Sequence, residues 1–301
     1  MEALLSLEEL FPVLRQALID FSSGAVVQPV RTIVGVPGQA GLLGVMSAVY
    51  GDVMGTKLVR VFPANADRGL HTHLATILLF RADTGEELAV MDGRVITAWR
   101  TAVVSALATD ALATERVRTL AILGSGVQAR THFAVLQRVR TFEEVRVWSR
   151  TSQHAARFAA EIGAKHTSGA EEAVRGADVV VTVSNASEPI LRGAWLKQEV
   201  HVNAVGAVGM DKRELDDDAL RGGAVVVESR QAALTESAEV VNSGRQIYAE
   251  LGEVLSGKVK KPEGARTVFK SLGIAVEDVA AARVVYERAM AEVGTSDRRQ
   301  A

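Results

Sequence analysis

Leu120-Ala121-Ile122-Leu123-Gly124-Ser125-Gly126-Val127-Gln128-Ala129 is the stretch on which the reading of the fold turns. A short apolar run stops at two glycines, and residues 127–138 then carry helical spacing. Residues 144–148 form the next apolar run, Glu144-Val145-Arg146-Val147-Trp148. Strand, G-x-G-x-x-A turn, helix and strand are the context in which this glycine pattern binds a dinucleotide. Gly124 permits the tight turn, and Gly126 lets the backbone approach a pyrophosphate. Val127 and Gln128 open the helix whose free amides face the anion, and Ala129 lets that helix pack on the strand.

The end of the second strand selects the dinucleotide. An NAD site ordinarily carries Asp or Glu there for the ribose hydroxyls. Here the chain reads Ser149-Arg150-Thr151, with no carboxylate. One guanidinium and two hydroxyls suit a 2′-phosphate, which favours NADP (NADPH) over NAD. The same residues have a plainer reading, in which Arg150 is solvated and Thr151 or Ser152 caps the next helix.

Working outward, strands and helices alternate from residue 118 onward, which predicts a parallel sheet covered on both faces. Residues 179–183, 201–205 and 224–228 are three more strands. Thr182, Val183 and Ser184 close the first of these, Val205 and Gly206 the second, and both ends belong beside a bound dinucleotide. Residues 235–243 and 247–256 read as helical, as does the tail over 274–293. Upstream the pattern differs. An amphipathic helix over 6–21 precedes short strands at 31–36, 42–48, 55–62, 75–81 and 88–92, then a small-residue helix over 97–113. The fold class is therefore α/β: a Rossmann-type doubly wound parallel sheet, residues 113–280, inserted in a second α+β domain of residues 1–112 and 281–301.

Composition narrows the function. A net charge of -2 gives no basic excess for nucleic acid or an acidic membrane surface. The absence of cysteine excludes disulfides, thiolate metal sites and cysteine nucleophiles. Residues 1–10 carry no basic leader and the apolar runs are short, so a cytoplasmic chain with no membrane partner is expected.

Three cations sit in apolar sequence: Arg31 after Pro29-Val30, Lys57 before Leu58-Val59, and Arg100 after Ala98-Trp99. Such charges either face solvent or are paired and functional. His71 and His73 alternate with Thr72 on one strand face, but no third ligand stands at useful spacing, so no metal is expected.

Several motifs act together: Gln28-Pro29-Val30-Arg31-Thr32, Gly44-Val45-Met46, Thr56-Lys57-Leu58-Val59, Ala89-Val90-Met91-Asp92-Gly93 and Ile96-Thr97-Ala98-Trp99-Arg100-Thr101-Ala102. The glycine-rich turn, Asn203-Ala204-Val205-Gly206-Ala207, Arg213-Glu214-Leu215-Asp216 and Val268-Phe269-Lys270-Ser271-Leu272-Gly273 with Ala275-Val276-Glu277-Asp278 continue them. In this combination, over nearly the whole chain, the sequence resembles the ornithine cyclodeaminase/mu-crystallin family, and within it the ketimine reductase branch.

The resemblance implies a homodimer, with the outer domain serving dimerisation and substrate binding. It implies NADPH-dependent reduction of the C=N bond of a cyclic ketimine carboxylate, of the pyrroline-2-carboxylate or piperideine-2-carboxylate type, to the cyclic imino acid. By the same resemblance Arg31 and Lys57 clamp the substrate carboxylate, with Met46 and His73 beside the substrate. Arg100 and Thr101 are implied as pyrophosphate contacts. Ser271 is implied to return near the nicotinamide, where sequence logic alone makes it a helix N-cap. His73, Lys57 and solvent remain alternative proton donors. The cyclodeaminase branch carries an aspartate where this chain has Val208, which can neither take nor give a proton and so disfavours ornithine cyclodeamination; Asp211 lies three residues on. An open-chain imine substrate, as in an amino acid dehydrogenase or N-alkyl amino acid synthase, and a non-catalytic crystallin-like protein binding NADPH or thyroid hormone are the other readings.

Overall fold

The structure, a computed structural model, describes residues 4–297. It divides into two units, Met1–Arg100 with Ile274–Ala301, and Thr101–Gly273. Elements are numbered in chain order.

The first unit holds α1 (Leu7–Ser23), β1 (Thr32–Gly35), β2 (Leu42–Tyr50), β3 (Val53–Val61), β4 (His73–Arg81) and β5 (Glu87–Asp92), and the C-terminal helix α10 (Ala275–Asp297). The five strands form an antiparallel meander in sequence order. Period-two alternation puts Met46, Ala48, Val53, Ala75, Ile77, Leu79 and Met91 on one buried face, and α10 packs on that face with α1 beside it. Lys57 stands on the same face, in the row Met46–Lys57–Ile77–Met91. The opposite face keeps Val34, Val49 and Val90 exposed.

The second unit begins inside α2 (Gly93–Leu112) and is built on eight parallel strands. These are β6 (Thr119–Leu123), β7 (Glu144–Trp148), β8 (Lys165–His166), β9 (Val179–Thr182), β10 (His201–Ala204), β11 (Gly223–Val227), β12 (Ile247–Glu250) and β13 (Arg266–Lys270). Their order is β12-β11-β13-β10-β9-β6-β7-β8. The helices between them are α3 (Val127–Leu136), α4 (Ser152–Ile162), α5 (Ala170–Val174), α6 (Asp217–Arg221), α7 (Arg230–Glu236), α8 (Ala238–Ser243) and α9 (Leu251–Leu255). Leu120, Ile122, Val180, Val202, Val225 and Val268 are fully buried, as strands covered on both faces require. The chain runs outward from β6 to β8 and then jumps back to β9 on the other side of β6. That reversal opens a crevice at the carboxyl ends of β6 and β9.

Several boundaries differ from the sequence reading. The units divide at Arg100/Thr101 and Gly273/Ile274 rather than at 112/113 and 280/281. The later half of α2 is held in the second unit by buried polar bonds, Asn203 Nδ2 to Thr109 Oγ1 at 2.8 Å and His132 to Ser105 at 3.0 Å. Residues 247–256 are not one helix. Ile247–Glu250 pairs with β11, and a capping box between Glu250 and Glu253 starts α9 only afterwards. The 235–243 helix is broken at Ser237, whose side chain caps α8. Among the described residues, Gly93–Leu112 is the helix long and apolar enough to cross a membrane, and most of it is buried in protein instead.

Candidate functional site

In the first unit a charged cluster is built under the sheet. Lys57 is 2% exposed, and its Nζ lies 2.6 Å from Asp278 Oδ2. Asp278 Oδ1 accepts from Arg100 Nε at 2.9 Å, and Glu277 Oε2 accepts from Arg100 Nη1 at 2.7 Å. Glu277 and Asp278 occupy the first turn of α10, where the helix dipole favours carboxylates. The N–H of Val276 donates to Gln28 Oε1 at 2.8 Å, which ties this helix end to the segment that carries Arg31. Thr32 pairs with Val45, so the same register continued by one residue sets Arg31 beside Met46.

Burial drives the Lys57 ammonium down to about 8. Asp278 opposes this, while Arg100 and Arg31 push in the same direction. Burial alone would raise Asp278, but Arg100 and Lys57 hold it below the usual carboxylate range. Arg100, expected on the pyrophosphate, is buried in this unit with its guanidinium on Glu277 and Asp278. His73 opens β4 on the same face as Lys57 but four residues from Ile77, about 13 Å along the strand. It is exposed, with Nδ1 3.1 Å from Thr72 Oγ1.

The second unit carries the dinucleotide cradle. Gly124 has φ +143°, and a Cβ there would sit 2.6 Å from the Val183 carbonyl oxygen, so only glycine serves this turn. A Cβ on Gly126 would meet nothing within 4 Å, leaving room over the α3 N-terminus for a phosphate. Arg130, one turn into α3, donates to Ser125 O at 2.6 Å and pairs with Glu161, which fixes the loop from behind. Ser125 Oγ and Ser149 Oγ lie 3.1 Å apart, and Ser149 Oγ also donates to the Thr151 carbonyl. Thr151 is the N-cap residue of α4, although its side chain makes no capping bond, and Arg150 is exposed. Hydroxyls and one cation therefore surround the position where the ribose of a dinucleotide belongs. These features fit a nicotinamide dinucleotide.

Behind the cradle lies a buried ionic network that the sequence reading missed. Glu214 accepts from Thr182 Oγ1 at 2.8 Å, Ser184 N at 2.5 Å and Gly206 N at 2.7 Å. Glu239 accepts from the backbone N–H groups of Glu214 and Leu215, and pairs with Lys270 Nζ at 2.7 Å. Lys270 also donates to Ala207 O at 2.6 Å. Burial raises the Glu214 carboxyl, Glu239 adds to the rise, and Lys270 opposes it. Thr182, expected to touch the cofactor, is fully buried with its hydroxyl on Glu214, so it braces the loop. Val183, Ser184, Val205 and Gly206 stand at the carboxyl ends of β9 and β10, as the crevice requires. Ser271, expected at the substrate or as an N-cap, donates to Glu228 Oε1 at 2.7 Å; α10 begins only at Ala275. Thr101 is buried in α2, and Val208 is exposed in the loop after β10. Among the described residues no cluster of three His, Asp or Glu could hold a metal ion.

Comparison with known proteins identifies the family. The sequence model of the ornithine cyclodeaminase/mu-crystallin family matches residues 1–293. Ketimine reductase mu-crystallin of Mus musculus is 48% identical over 285 residues, 92% of this chain and 91% of the relative. The structure of Thermococcus litoralis Delta(1)-pyrroline-2-carboxylate reductase, in complex with NADH and L-proline, superposes with a TM-score of 0.92 at 34% identity. It covers 97% of this chain and 95% of the other. An archaeal alanine dehydrogenase dimer with bound NAD superposes with a TM-score of 0.91 at 30% identity, covering 97% and 94%. The chain belongs to the ornithine cyclodeaminase/mu-crystallin family.

Proposed function

We propose that this protein is a cytoplasmic homodimeric reductase that uses NADPH to reduce the C=N bond of a cyclic ketimine carboxylate, pyrroline-2-carboxylate or piperideine-2-carboxylate. The observation that carries this reading is the buried cation cluster of Lys57 and Arg100 on Asp278, with Arg31 near enough to lower the Lys57 ammonium. Cations gathered and desolvated in this way suit a small carboxylate ligand, which can form charge-assisted hydrogen bonds to them. The relatives named as ketimine and pyrroline-2-carboxylate reductases support the substrate class. Ser149, Arg150 and Thr151, without a carboxylate, support NADPH over NADH. The dimeric archaeal relative and the exposed valines on the outer sheet face support the homodimer.

The dinucleotide, when bound, supplies the hydride that turns C=N into CH–NH. Gly124, Gly126 and the α3 amides hold its pyrophosphate, and Ser149, Arg150 and Thr151 its ribose phosphate. Arg31, Lys57 and Arg100 fix the substrate carboxylate and with it the face of the ring presented. Val208, at the position of the cyclodeaminase aspartate, leaves that loop without an acid–base group there, which favours reduction over cyclodeamination.

The test is NADPH oxidation with each ketimine, beside NADH and an Arg31→Ala variant. Turnover with NADPH that falls about 10–100-fold in kcat/KM in the variant is expected, the loss of one charge-assisted bond. Tight NADPH binding with no turnover of either ring would overturn the reading, and turnover of pyruvate with methylamine would then identify an open-chain imine substrate.

A pH prediction follows from Lys57. Below about 8 its ammonium is charged and attracts the carboxylate; above, it is neutral. The value of kcat/KM, which reports the free enzyme, is therefore expected to fall as pH rises through about 8. Lys57→Arg keeps the charge at all working pH and should remove that limb. An unchanged profile in the variant would assign the limb to another group.

A further inference from the structure

Ser125, the middle residue of the glycine-rich turn, is held at two atoms. Its carbonyl oxygen accepts from Arg130 Nη1 at 2.6 Å. That guanidinium is itself paired with Glu161 at 2.7 Å and lies 4.9 Å from the centre of the Phe158 ring. The Ser125 hydroxyl lies 3.1 Å from Ser149 Oγ, just past the end of β7. Backbone and side chain are thus fixed against the loop in which the ribose of a dinucleotide is read.

Proton accounting gives the serine pair a direction. A hydroxyl donates one hydrogen bond and accepts two. Ser149 Oγ lies 3.0 Å from the Thr151 carbonyl, which can only accept, so the Ser149 proton is spent there. Ser149 must then accept from Ser125, and that bond takes the second proton. The capacity left on the two oxygens is for accepting alone. Beside them stand Arg150, which is exposed, and Thr151, whose side chain makes no capping bond.

The two halves of this loop suit different groups at the 2′ carbon of the adenosine ribose. A phosphate needs donors and finds them in Arg150 and Thr151. To take a proton from Ser149 or Ser125 as well, it must break a bond already made inside the protein. A hydroxyl has a proton to give, and Ser125 Oγ has the lone pairs to accept it. In an ordinary NAD site an acidic residue at the end of the second strand does this. Ser149-Arg150-Thr151 carries no such residue.

We infer that Ser125 is a specificity-determining residue for the 2′ position of the adenosine ribose: its hydroxyl stands in for the missing carboxylate, so that NADH serves as a second cofactor beside NADPH. This rests on the NADPH reductase reading, whose Arg150 contact the experiment tests separately.

The experiment titrates NADH and NADPH, followed by their fluorescence, into full-length wild type, Ser125→Ala and Arg150→Ala. Ser125 is half-buried in a turn, so Ser125→Ala is expected to melt with wild type. Its NADH Kd should rise about 2–10-fold, the scale of one net hydrogen bond, while its NADPH Kd stays level or falls. Calorimetry with ADP-ribose and its 2′-phosphate repeats the comparison without the nicotinamide and should give the same shift in ratio. Equal weakening of both cofactors is what a purely structural serine gives, and that result or an unmoved ratio would overturn the inference. Arg150→Ala should instead raise the NADPH Kd about 10–100-fold, the loss of a charge-assisted contact, and spare NADH. Should Arg150→Ala weaken both alike, the NADPH preference fails, while the ratio in Ser125→Ala still decides the role of the serine.

Discussion

Lys270→Met is expected to destabilise the protein by about 3–5 kcal/mol, the usual cost of stripping one partner from a buried ion pair. Lys270 is fully buried, with Nζ on Glu239 and on the Ala207 carbonyl. Methionine fills most of the volume but leaves Glu239 a buried carboxylate without a counter-ion. Glu214 is nearby, already raised by burial and by Glu239, and Lys270 is what opposes that rise. The loss would appear as a lower urea midpoint at unchanged slope. A second substitution makes the cause visible. Glu239→Gln retains an acceptor for the Glu214 and Leu215 N–H groups while removing the charge, so the double variant should recover much of the loss. A single variant within about 1 kcal/mol of wild type would show that the pair contributes little beyond packing.

Gly206→Ala should act on the same region by another route. The added methyl would stand inside contact of the Ser184 carbonyl oxygen, and 2.5 Å from both Ser184 N and Glu214 Oε1. Neither backbone nor a buried carboxylate can give way, so the ends of β9 and β10 must separate. Overpacking of this kind costs about 1–3 kcal/mol. The bonds from Ser184 N and Gly206 N to Glu214 would lengthen as well. The dinucleotide Kd is expected to rise by about tenfold or more, since these loops line the crevice. Gly126→Ala is the control. Its Cβ meets nothing in the protein, so it should leave the melting temperature of the ligand-free enzyme nearly unchanged and weaken only dinucleotide binding. Comparable melting losses in both variants would contradict this division between support and contact.

The two variants mark where sequence reading reached and where it stopped. The Gly124 turn was legible because a dinucleotide site is local: strand, glycines and helix are contiguous, and each glycine has its own reason. Lys57 was legible as a charge in apolar sequence, and the same signal stands at Lys270 between Phe269 and Leu272, where it went unused. The carboxylate partners were not legible. Asp278 meets Lys57 from the far end of the sequence, past the whole second unit, and Glu239 meets Glu214 from 25 residues away, with no spacing rule joining them. Thr182 and Ser271 were both placed near the chemistry, yet each spends its hydroxyl on a buried carboxylate. A polar residue beside a ligand and one that braces its loop look alike until the acids are located. The residues that became β12 failed for a different reason: Ile247-Tyr248-Ala249 fits helix and strand alike, and pairing with β11 decided it.

The position of β13 bears on how the protein is made. This strand is the last of the sheet in sequence but is the one inserted between β10 and β11. Until residues 266–270 leave the ribosome, β10 presents an unpaired edge of backbone amides and carbonyls, and β11 with β12 has no place on the sheet. A nascent or truncated chain ending before Arg266 therefore exposes two apolar parallel edges at once, the kind of surface that invites intermolecular pairing. Completion of the sheet also delivers Lys270 to Glu239, so the charge that neutralises the network arrives with the strand that closes it.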